Sequence, residues 1–491
     1  MVSPACCNRE TPRIPFYVVP AGLALLSSLI ILLVYAPATS LLLHTQRLLP
    51  AAVGAHVDHF RNPPGSSVSS TPANHSVADA TLGNSSGVPT SASSGKAPPF
   101  PAVFEVKRDE WEWVKEQTPA GDQRKGNIIY REVFHDKEFF LEGYKEMNRS
   151  FKIFVYPHYK DDPFAHALLP VDFEPGGNYA SESYFKKVLM QSHFITKDAS
   201  EADLFFLPFS IARLRHDHRV SVGGIPGFVQ MYIFNISRKY PYWNRTGGAD
   251  HFYVACHSAG RSATDKAEEV KFNAIQVVCS ASYYLSGYVA HKDVCLPQVW
   301  PRKGPPPKIS SAKRKKLAFF AGSVNSPVRK KLLEAWKHDT EISVHSGHIS
   351  TSYTESLLSS KFCLHVKGFE VNTARIADAM YYGCVPVIIA EYYDLPFSDV
   401  LNWKNFSIVV AALDIPQLKE ILHGVSSNRY MELHKNVLKA RKHFQWHLSP
   451  LDYDAFYMVM YELWLRRSVV RFPLYSLSDS NQLDGNLPKC V

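Results

Sequence analysis

Apolar runs of strand length alternate with stretches of helical periodicity over most of the chain. Most of these runs are apolar at every position, which is typical of strands covered on both faces in a parallel sheet. In the first half, helical stretches such as 181–191 and 227–238 separate predicted strands at 153–156, 204–207, 251–256, 275–279 and 293–296. In the second half, an amphipathic helix at 453–466 follows predicted strands at 317–321, 342–345, 362–366, 385–389 and 406–410. The pattern predicts an α/β protein with two Rossmann-like lobes.

A proline-rich break at residues 298–311 interrupts this alternation and predicts a hinge between the lobes. Each half is long enough to form a core of its own. We therefore predict an N-terminal lobe at 125–297, a linker at 298–311, a C-terminal lobe with a closing helix at 312–467, and a tail at 468–491. Ligands are expected between the lobes, at the carboxyl ends of the strands.

The segment 14–43 contains no Asp, Glu, Lys or Arg and is long enough to span a bilayer. We predict a transmembrane signal anchor there, with residues 1–13 as a cytosolic tail; a cleaved signal peptide ending near 36–38 is the alternative. Residues 44–124 follow as a stem. Its part 62–101 is rich in Ser, Pro, Ala, Gly and Thr, which predicts disorder because it cannot bury enough apolar surface.

Glycosylation sequons and cysteines suit a lumenal domain after the anchor. The sequons begin at Asn74, Asn84, Asn148, Asn235, Asn244 and Asn405. Asn405 lies in an apolar context and is the least expected to be glycosylated. Of the eight cysteines, six follow the anchor, where disulfides can form. Six cysteines allow about fifteen pairings, and the sequence selects none of them.

The formal net charge of +9 is modest for 491 residues. The concentrated basic run is 313–316, together with Arg302, Lys303 and Lys308. We predict a solvated linker face there; attraction of an acidic polysaccharide is the alternative. No recognised nucleic-acid-binding motif accompanies the charge, so nucleic acid is not an expected partner.

The stretch 368–378 lies between two apolar runs and predicts strand, glycine turn, helix and strand in succession. That unit presents backbone N–H groups to an anion. Thr373 offers a hydroxyl and Arg375 a guanidinium to a diphosphate, and Asp378 offers a carboxylate to a ribose diol. A weak surface pair of Arg375 with Asp378 is the alternative. The chemistry fits a sugar-nucleotide site.

Several motifs occur in an order that resembles the exostosin-like glycosyltransferases (glycosyltransferase family 47), particularly the plant cell-wall type. The motifs are 151–157, 247–252, 319–322, 360–364, 383–388 and 395–403. The resemblance covers roughly residues 125 to 467. It implies a GT-B arrangement of two lobes facing a cleft, and an N-terminal lobe that takes the acceptor. It also implies an inverting transferase that moves a sugar from a UDP-sugar to a cell-wall polysaccharide, in the Golgi membrane, as a single-pass type II protein.

The nucleotide-sugar-binding residues predicted from the motif and the resemblance are Gly368, Glu370, Thr373, Arg375, Asp378 and Arg329. No acidic Asp-x-Asp motif is convincing, and the adjacent acids at 161–162 predict a turn. A metal-independent mechanism is therefore favoured, with no cofactor beyond the UDP-sugar and with fixed cations as the anion clamp.

An inverting displacement needs a general base, which the first lobe is expected to supply. Asp250 and His257 flank one predicted strand, with His257 at its carboxyl end, and are the predicted catalytic pair. A structural histidine, or one that contacts the diphosphate, is the alternative. Ser258 departs from the family pattern, in which an Asp often follows this histidine. The stretch 365–367 also departs from the family pattern. These departures leave open a silent partner of other Golgi glycosyltransferases, or a lumenal glycan-binding protein.

Overall fold

The computed structural model describes residues 132–468, apart from 285–286, 309, 348 and 350–351. The predicted cytosolic tail, the anchor and the whole stem lie outside the described residues, as do Asn74, Asn84 and the C-terminal tail from 469. Within the described part, no helix is long and apolar enough to cross a membrane. The described residues belong to one compact unit that begins at Ala120.

The first lobe is a six-stranded, all-parallel sheet with helices around it. Its strands are β1 (Ile153–Val155), β2 (Ile195–Thr196), β3 (Leu204–Phe206), β4 (His251–Ala255), β5 (Ile275–Val278) and β6 (Val294–Cys295), in the order β2-β1-β3-β4-β5-β6. Its helices are α1 (Lys137–Ser150), α2 (Ala165–Leu168), α3 (Ala180–Leu189), α4 (Ile211–Leu214), α5 (Ser221–Lys239), α6 (Tyr242–Thr246) and α7 (Glu268–Phe272). β3, β4 and β5 are buried at every position, as the sequence predicts.

The second lobe repeats this plan with five parallel strands. They are β7 (Lys316–Gly322), β8 (Ile342–Ser346), β9 (Ser360–Val366), β10 (Val385–Ile389) and β11 (Ile408–Val409), in the order β11-β10-β9-β7-β8. Its helices are α8 (Pro327–Trp336), α9 (Tyr353–Ser359), α10 (Arg375–Tyr381), α11 (Leu418–His423) and α12 (Ser427–Ala440). The strand order reverses between β7 and β9, which is where ligands bind in open parallel sheets.

The predicted strands of both lobes are confirmed, with ends that shift by at most two residues. The sequence missed β2, because two partly buried residues carry too little pattern. It also placed the start of α5 at 227, whereas the helix begins at Ser221. Pro226 inside the helix marks a boundary in sequence terms, and the helix continues through it although this residue has no N–H to donate to the carbonyl of Val222.

The last helix, α13 (Ala455–Arg466), packs on the first lobe against α1, α3 and β6. The sequence had grouped this helix with the second lobe. Residue Phe134 conversely pairs with Leu401 of the second lobe. The start of the described chain, at Phe134, therefore contacts the second lobe, and the last helix packs on the first lobe. Each lobe includes a segment that is distant from it in sequence.

A fixed contact joins the lobes on one side. Ser282 of the first lobe forms an antiparallel bridge with Tyr393, and the amide of Tyr283 donates to the carbonyl of Tyr392. The hydroxyls of Tyr283 and Tyr288 both donate to the Asp394 carboxylate, at 2.8 and 2.6 Å. This contact leaves the other side open as a cleft.

Two disulfides tie neighbouring strands together, the first of them at the edge of the cleft. Cys256 pairs with Cys279 at the carboxyl ends of β4 and β5, and Cys363 on β9 pairs with Cys384 beside β10. Cys295 is a buried free thiol. The sequence could not select these pairings, because they follow from strand adjacency.

One residue of the basic run 313–316 is not solvated, contrary to our expectation. Arg314 is only 2% exposed. Its guanidinium donates to the carbonyls of Leu357 and Ser360, at 2.7 and 2.9 Å, and to that of Tyr382. These carbonyls lie at the ends of α9 and α10, where a cation is favourable. The run therefore supplies one internal helix-capping cation.

The four described sequons differ in accessibility. Asn235 and Asn244 are exposed and Asn148 is half-buried. Asn405 is buried, and its side-chain amide donates to the carbonyl of Glu132 at 2.6 Å. Glycosylation at Asn405 would require that contact to break, so Asn405 remains the least expected acceptor.

Candidate functional site

A cavity of about 380 Å³ lies between the lobes at the carboxyl ends of their strands. The first lobe contributes Asn178, Tyr179, Cys256 and Ser258, and the linker contributes Gln298, Trp300 and Arg302. All the residues predicted to bind the nucleotide sugar line this cavity, namely Arg329, Gly368, Glu370, Thr373, Arg375 and Asp378. The structure brings Arg329 on α8 together with the residues of the stretch 368–378, which are distant from it in sequence.

Two arginines of the second lobe form the deepest positive charge of the cleft. Arg329 is 4% exposed and donates to the carbonyls of Val366 and Ser323 and to Oδ1 of Asn325, at 3.0 to 3.1 Å. Nε and Nη2 of Arg375 both donate to the carbonyl of Ala321, at 2.9 and 2.7 Å. Arg329 has no carboxylate partner among the described residues. Burial and, to a smaller extent, the charge of Arg375 together lower the pKa of Arg329 to about 10. The two guanidiniums therefore have no neutralising carboxylate hydrogen-bonded to them among the described residues, and an anionic ligand would supply that charge.

Two glycines make room for these guanidiniums. A Cβ at Gly322 would lie 2.2 Å from Nη2 of Arg375, and a Cβ at Gly368 would lie 2.7 Å from Nη2 of Arg329. Both distances are too short for any side chain, so the close approach requires glycine at the ends of β7 and β9. The backbone thus holds the arginines in place, which is the preorganisation that anion stabilisation needs.

Asp378 is held from the linker and from helix α9. Arg302 donates twice to Oδ1, at 2.9 and 2.7 Å, and the Tyr353 hydroxyl donates to Oδ2 at 3.2 Å. Burial raises the pKa of Asp378, and the charge of Arg302 opposes that shift. The carboxylate is an acceptor at the cavity wall, with Oδ2 the less occupied oxygen. Ribose binding by Asp378 stays a prediction.

The Thr373 hydroxyl is not available to a diphosphate in the way the sequence suggested. His365 is fully buried, with Nε2 2.9 Å from the carbonyl of Val371 and Nδ1 3.1 Å from the Thr373 hydroxyl. Because a carbonyl only accepts, Nε2 carries the proton and Nδ1 accepts from Thr373. Burial lowers the pKa of His365 to about 3, and Arg375 and Arg329 add to this effect. Thr373 therefore fixes a neutral histidine beneath the two arginines.

Polar contacts cross the cleft between the lobes. Arg261 of the first lobe lies 3.0 Å from the Glu370 carboxylate. Burial raises the pKa of Glu370, while the charge of Arg261 opposes that shift. Gln298 of the linker accepts from the side-chain amide of Asn372 at 2.8 Å, and Oδ1 of Asn372 is buried without a partner. These contacts can exchange for ligand contacts because they face the cavity.

His257 lies where the sequence placed it, at the carboxyl end of β4, with its ring 4.5 Å from the ring of Tyr179. Its Nδ1 accepts the amide N–H of Ala259 at 2.9 Å. Burial, Arg215 and His216 lower its pKa to about 4, so the ring is neutral and its proton sits on Nε2. In this geometry His257 offers a donor and no free lone pair. Its catalytic role stays a prediction, which this geometry does not support.

Asp250 lies at the amino end of β4, one strand length away from the cavity. Its carboxylate accepts from Arg245 and Thr246 and contacts Nδ1 of His251 at 2.8 Å. Burial would raise the pKa of Asp250, but the hydrogen bonds led by His251 overcome it and lower the pKa to about 2. The pairing of Asp250 with His257 is corrected, because β4 separates the two side chains. Asp250 instead stabilises the buried His251.

Sequence reasoning missed several residues of the cavity, namely Tyr179, Trp300, Arg302, Tyr353 and Asn372. Asn372 was inside the quoted motif and could have been found there. For Arg302 the sequence predicted a solvated linker face, whereas its guanidinium binds Asp378 and its side chain is 25% exposed. Among the described residues, no group of three or more His, Cys, Asp or Glu could hold a metal ion. Residues 161–162 do form a turn.

Comparison with known proteins agrees with this arrangement. The Exostosin GT47 domain matches residues 147–425. The probable glycosyltransferase At5g03795 of Arabidopsis thaliana is 36% identical over 352 residues, which cover 69% of this chain and 66% of the relative. The probable glycosyltransferase At3g07620 of the same plant is 36% identical over 371 residues, which cover 72% and 76%.

A more distant relative is the probable beta-1,4-xylosyltransferase IRX10 of Arabidopsis thaliana, 28% identical over 269 residues, which cover 50% of this chain and 65% of the relative. The chain spans just under two thirds of the length of the first relative named above. The matched domain occupies more than half of the chain and contains both lobes of the cleft. The chain therefore belongs to the exostosin GT47 glycosyltransferases of the plant cell-wall type.

Proposed function

We propose that this glycosyltransferase moves a sugar from a UDP-sugar to a cell-wall polysaccharide, with inversion at the anomeric carbon and without a metal ion. The observation that carries the proposal is the pair Arg329 and Arg375. Both guanidiniums are largely buried, both are held by backbone carbonyls, and Arg329 has no carboxylate partner among the described residues. A diphosphate supplies the missing negative charge.

The position of the two arginines supports their use on a leaving group. They follow β7 and β9, the strands between which the sheet order reverses. Charge develops on the diphosphate as the glycosidic bond to it breaks, and fixed cations lower the energy of that state without further reorganisation. Fixed cations of this kind can replace a divalent ion in that role. The carboxylates that line the cleft, Glu370 and Asp378, face the same space and are the acidic groups nearest to an incoming acceptor.

The cellular setting is part of the proposal. The uncharged segment 14–43 and the sequons after it fit a single-pass type II protein of the Golgi membrane, with the two lobes in the lumen. The two disulfides fit an oxidising compartment. The relative named as a probable beta-1,4-xylosyltransferase supports a plant polysaccharide as acceptor. Other Golgi glycosyltransferases are proposed partners.

The experiment measures UDP release by the purified full-length chain across a panel of UDP-sugars and acceptor oligosaccharides, with and without EDTA. Arg375→Ala removes one cation of the clamp and should reduce turnover by about 10²-fold or more. Lys330→Ala is the matched control, because Lys330 is an exposed cation next to Arg329 on α8. Turnover that survives EDTA and Lys330→Ala but not Arg375→Ala supports the proposal.

A silent partner subunit is the second candidate, and one observation favours it. Both acidic side chains of the cleft are in ion pairs, Glu370 with Arg261 and Asp378 with Arg302, and His257 offers no lone pair. Calorimetric titration with UDP separates the candidates. UDP binding without turnover of any donor would favour the silent partner, and absence of UDP binding would refute the transferase and leave a glycan-binding protein.

A further inference from the structure

A second group of basic side chains lies on the first lobe, across the cleft from the arginine clamp. β3 and β4 are neighbouring parallel strands, so the loops at their carboxyl ends meet at the cleft edge. The loop after β3 forms α4, which ends at Arg215 and His216, and α4 packs against the turn at Ser258–Gly260 after β4. His257 precedes that turn. We call Arg215, His216 and His257 the basic rim.

The basic rim lacks acidic partners. Asp217, the nearest acid in sequence, is taken by Arg219 at 2.6 Å and by His166 at 3.3 Å. Among the described residues, Arg215 forms no ion pair; Nη1 lies 3.4 Å from Nε2 of His216, and Nε is buried without a partner. A guanidinium beside an imidazole gains nothing from charge attraction. The unpartnered Nε and the absence of a carboxylate leave Arg215 able to bind an anion that comes from outside.

The rim is continuous with the catalytic cavity. Tyr179 and Ser258 line that cavity, and the ring of Tyr179 contacts the ring of His257 at a tilted angle. The neutral ring of His257 holds its free proton on Nε2, because Nδ1 accepts from Ala259. Because α4 packs against the turn that follows His257, Arg215 and His216 lie at the same edge of the first lobe as His257. All three therefore present positive charge or donors, without a competing acceptor of their own.

The clamp on the second lobe already accounts for the diphosphate, so the anion at the rim is a different one. The planar guanidinium of Arg215 matches a carboxylate with two parallel hydrogen bonds. On a lobe that faces a polysaccharide, such a carboxylate is carried by a sugar. We propose that the basic rim is a subsite for the carboxylate of a uronic acid residue in the acceptor glycan. This inference rests on the proposed function.

The test is calorimetric titration of the full-length chain, saturated with UDP, with oligogalacturonides and with glucuronic-acid-bearing xylo-oligosaccharides. The matched probes are the same oligosaccharides with their carboxyl groups reduced to alcohols. At least one acidic probe should bind about tenfold or more tightly than its reduced partner. Arg215→Gln should remove that difference, and Arg215→Lys should keep part of it, because charge remains while the two-pronged geometry is lost.

Arg238→Gln is the control, since Arg238 is a cation at the carboxyl end of α5, beside the amino ends of the strands. It should bind both kinds of probe as the unchanged protein does. UDP affinity should be the same in Arg215→Gln, and its thermal unfolding temperature should be unchanged. Loss of the difference in Arg238→Gln as well would overturn the inference, because the effect would then be one of net charge.

Two further outcomes overturn the inference in distinguishable ways. If UDP binds but acidic and reduced oligosaccharides bind equally, the rim is not a carboxylate subsite, while the proposed transferase stands. If Arg215→Gln weakens UDP-glucuronic acid but not UDP-xylose, with no effect on any acceptor, the carboxylate belongs to the donor sugar. Absence of UDP binding would instead contradict the proposed function itself.

Discussion

The two faces of the cleft hold their cations in different ways. On the second lobe, Arg329 is buried and Arg375 is half-buried, and both are fixed by backbone carbonyls at the ends of β7 and β9. On the first lobe, Arg215 is only half-buried and His216 is exposed, and they have little besides each other. A rigid site fits a ligand part that never changes, such as a diphosphate. A rim with few fixed contacts fits a variable polysaccharide.

The largest difference between the faces should appear when each arginine is removed. Arg329→Ala deletes the donor to the Val366 and Ser323 carbonyls, and should lower the free energy of unfolding by about 3 kcal/mol. Arg215→Ala breaks no such contact and should change it by less than about 0.5 kcal/mol. Denaturant unfolding followed by tryptophan fluorescence measures both. Equal losses would contradict the contrast between a built-in clamp and a surface rim.

A smaller change tests whether the clamp needs its close backbone approach. In Gly368→Ala the new Cβ would lie 2.7 Å from Nη2 of Arg329 and 2.9 Å from Oδ1 of Asn325. The guanidinium must move, and UDP affinity should fall by about tenfold, or roughly 1.4 kcal/mol. Calorimetric titration with UDP measures this. Gly227→Ala in α5 is the control, because no atom lies within 4 Å of its Cβ position; unchanged affinity in Gly368→Ala would show that the clamp tolerates displacement.

The sequence predicted the clamp better than the rim, for a physical reason. The strands are buried apolar runs, and the stretch 368–378 lies in a single strand–helix unit, so its chemistry is local in sequence. The partners of Asp378 are not local. Arg302 comes from the linker and Tyr353 from another helix, and only the fold brings them to the carboxylate.

The same limit explains the corrections on the first lobe. Asp250 and His257 are close in sequence, but β4 lies between them, so a short separation along a strand becomes a large distance in space. The tautomer of His257 follows from a single backbone contact with Ala259, which no residue pattern records. Burial of Arg314 within a basic run likewise depends on two helix ends that meet only in the folded chain.

The buried His365 should make the free energy of unfolding decrease as the pH falls. The pKa of His365 is lowered to about 3 by burial and by Arg375 and Arg329, so the native state binds fewer protons than the unfolded state, whose histidine pKa is about 6.5. Its contribution is complete above pH 6.5 and is lost as the pH falls toward 3, by about 1.4 kcal/mol per pH unit. In His365→Gln that part of the pH dependence should disappear.

The corresponding histidine of the rim is the comparison. The pKa of His257 is lowered to about 4 by burial, Arg215 and His216, but its ring is only half-buried and solvent screens it. His257→Gln should therefore remove a smaller part of the acid dependence than His365→Gln. Unfolding midpoints between pH 7 and pH 4 provide the measurement, and a larger effect at His257 would show that the rim is the more buried of the two faces.

The smallest effect is expected where the faces touch. Arg261 and Glu370 form an ion pair across the cleft at 3.0 Å, with side chains that are 37% and 14% exposed. Glu370→Gln should cost less than about 1 kcal/mol of stability, and high salt should remove most of that difference. The lobes are already fixed elsewhere, by the Ser282–Tyr393 bridge and by Tyr288 on Asp394. A larger loss that persists at high salt would mean that this pair holds the lobes together, and a ligand could not then displace it cheaply.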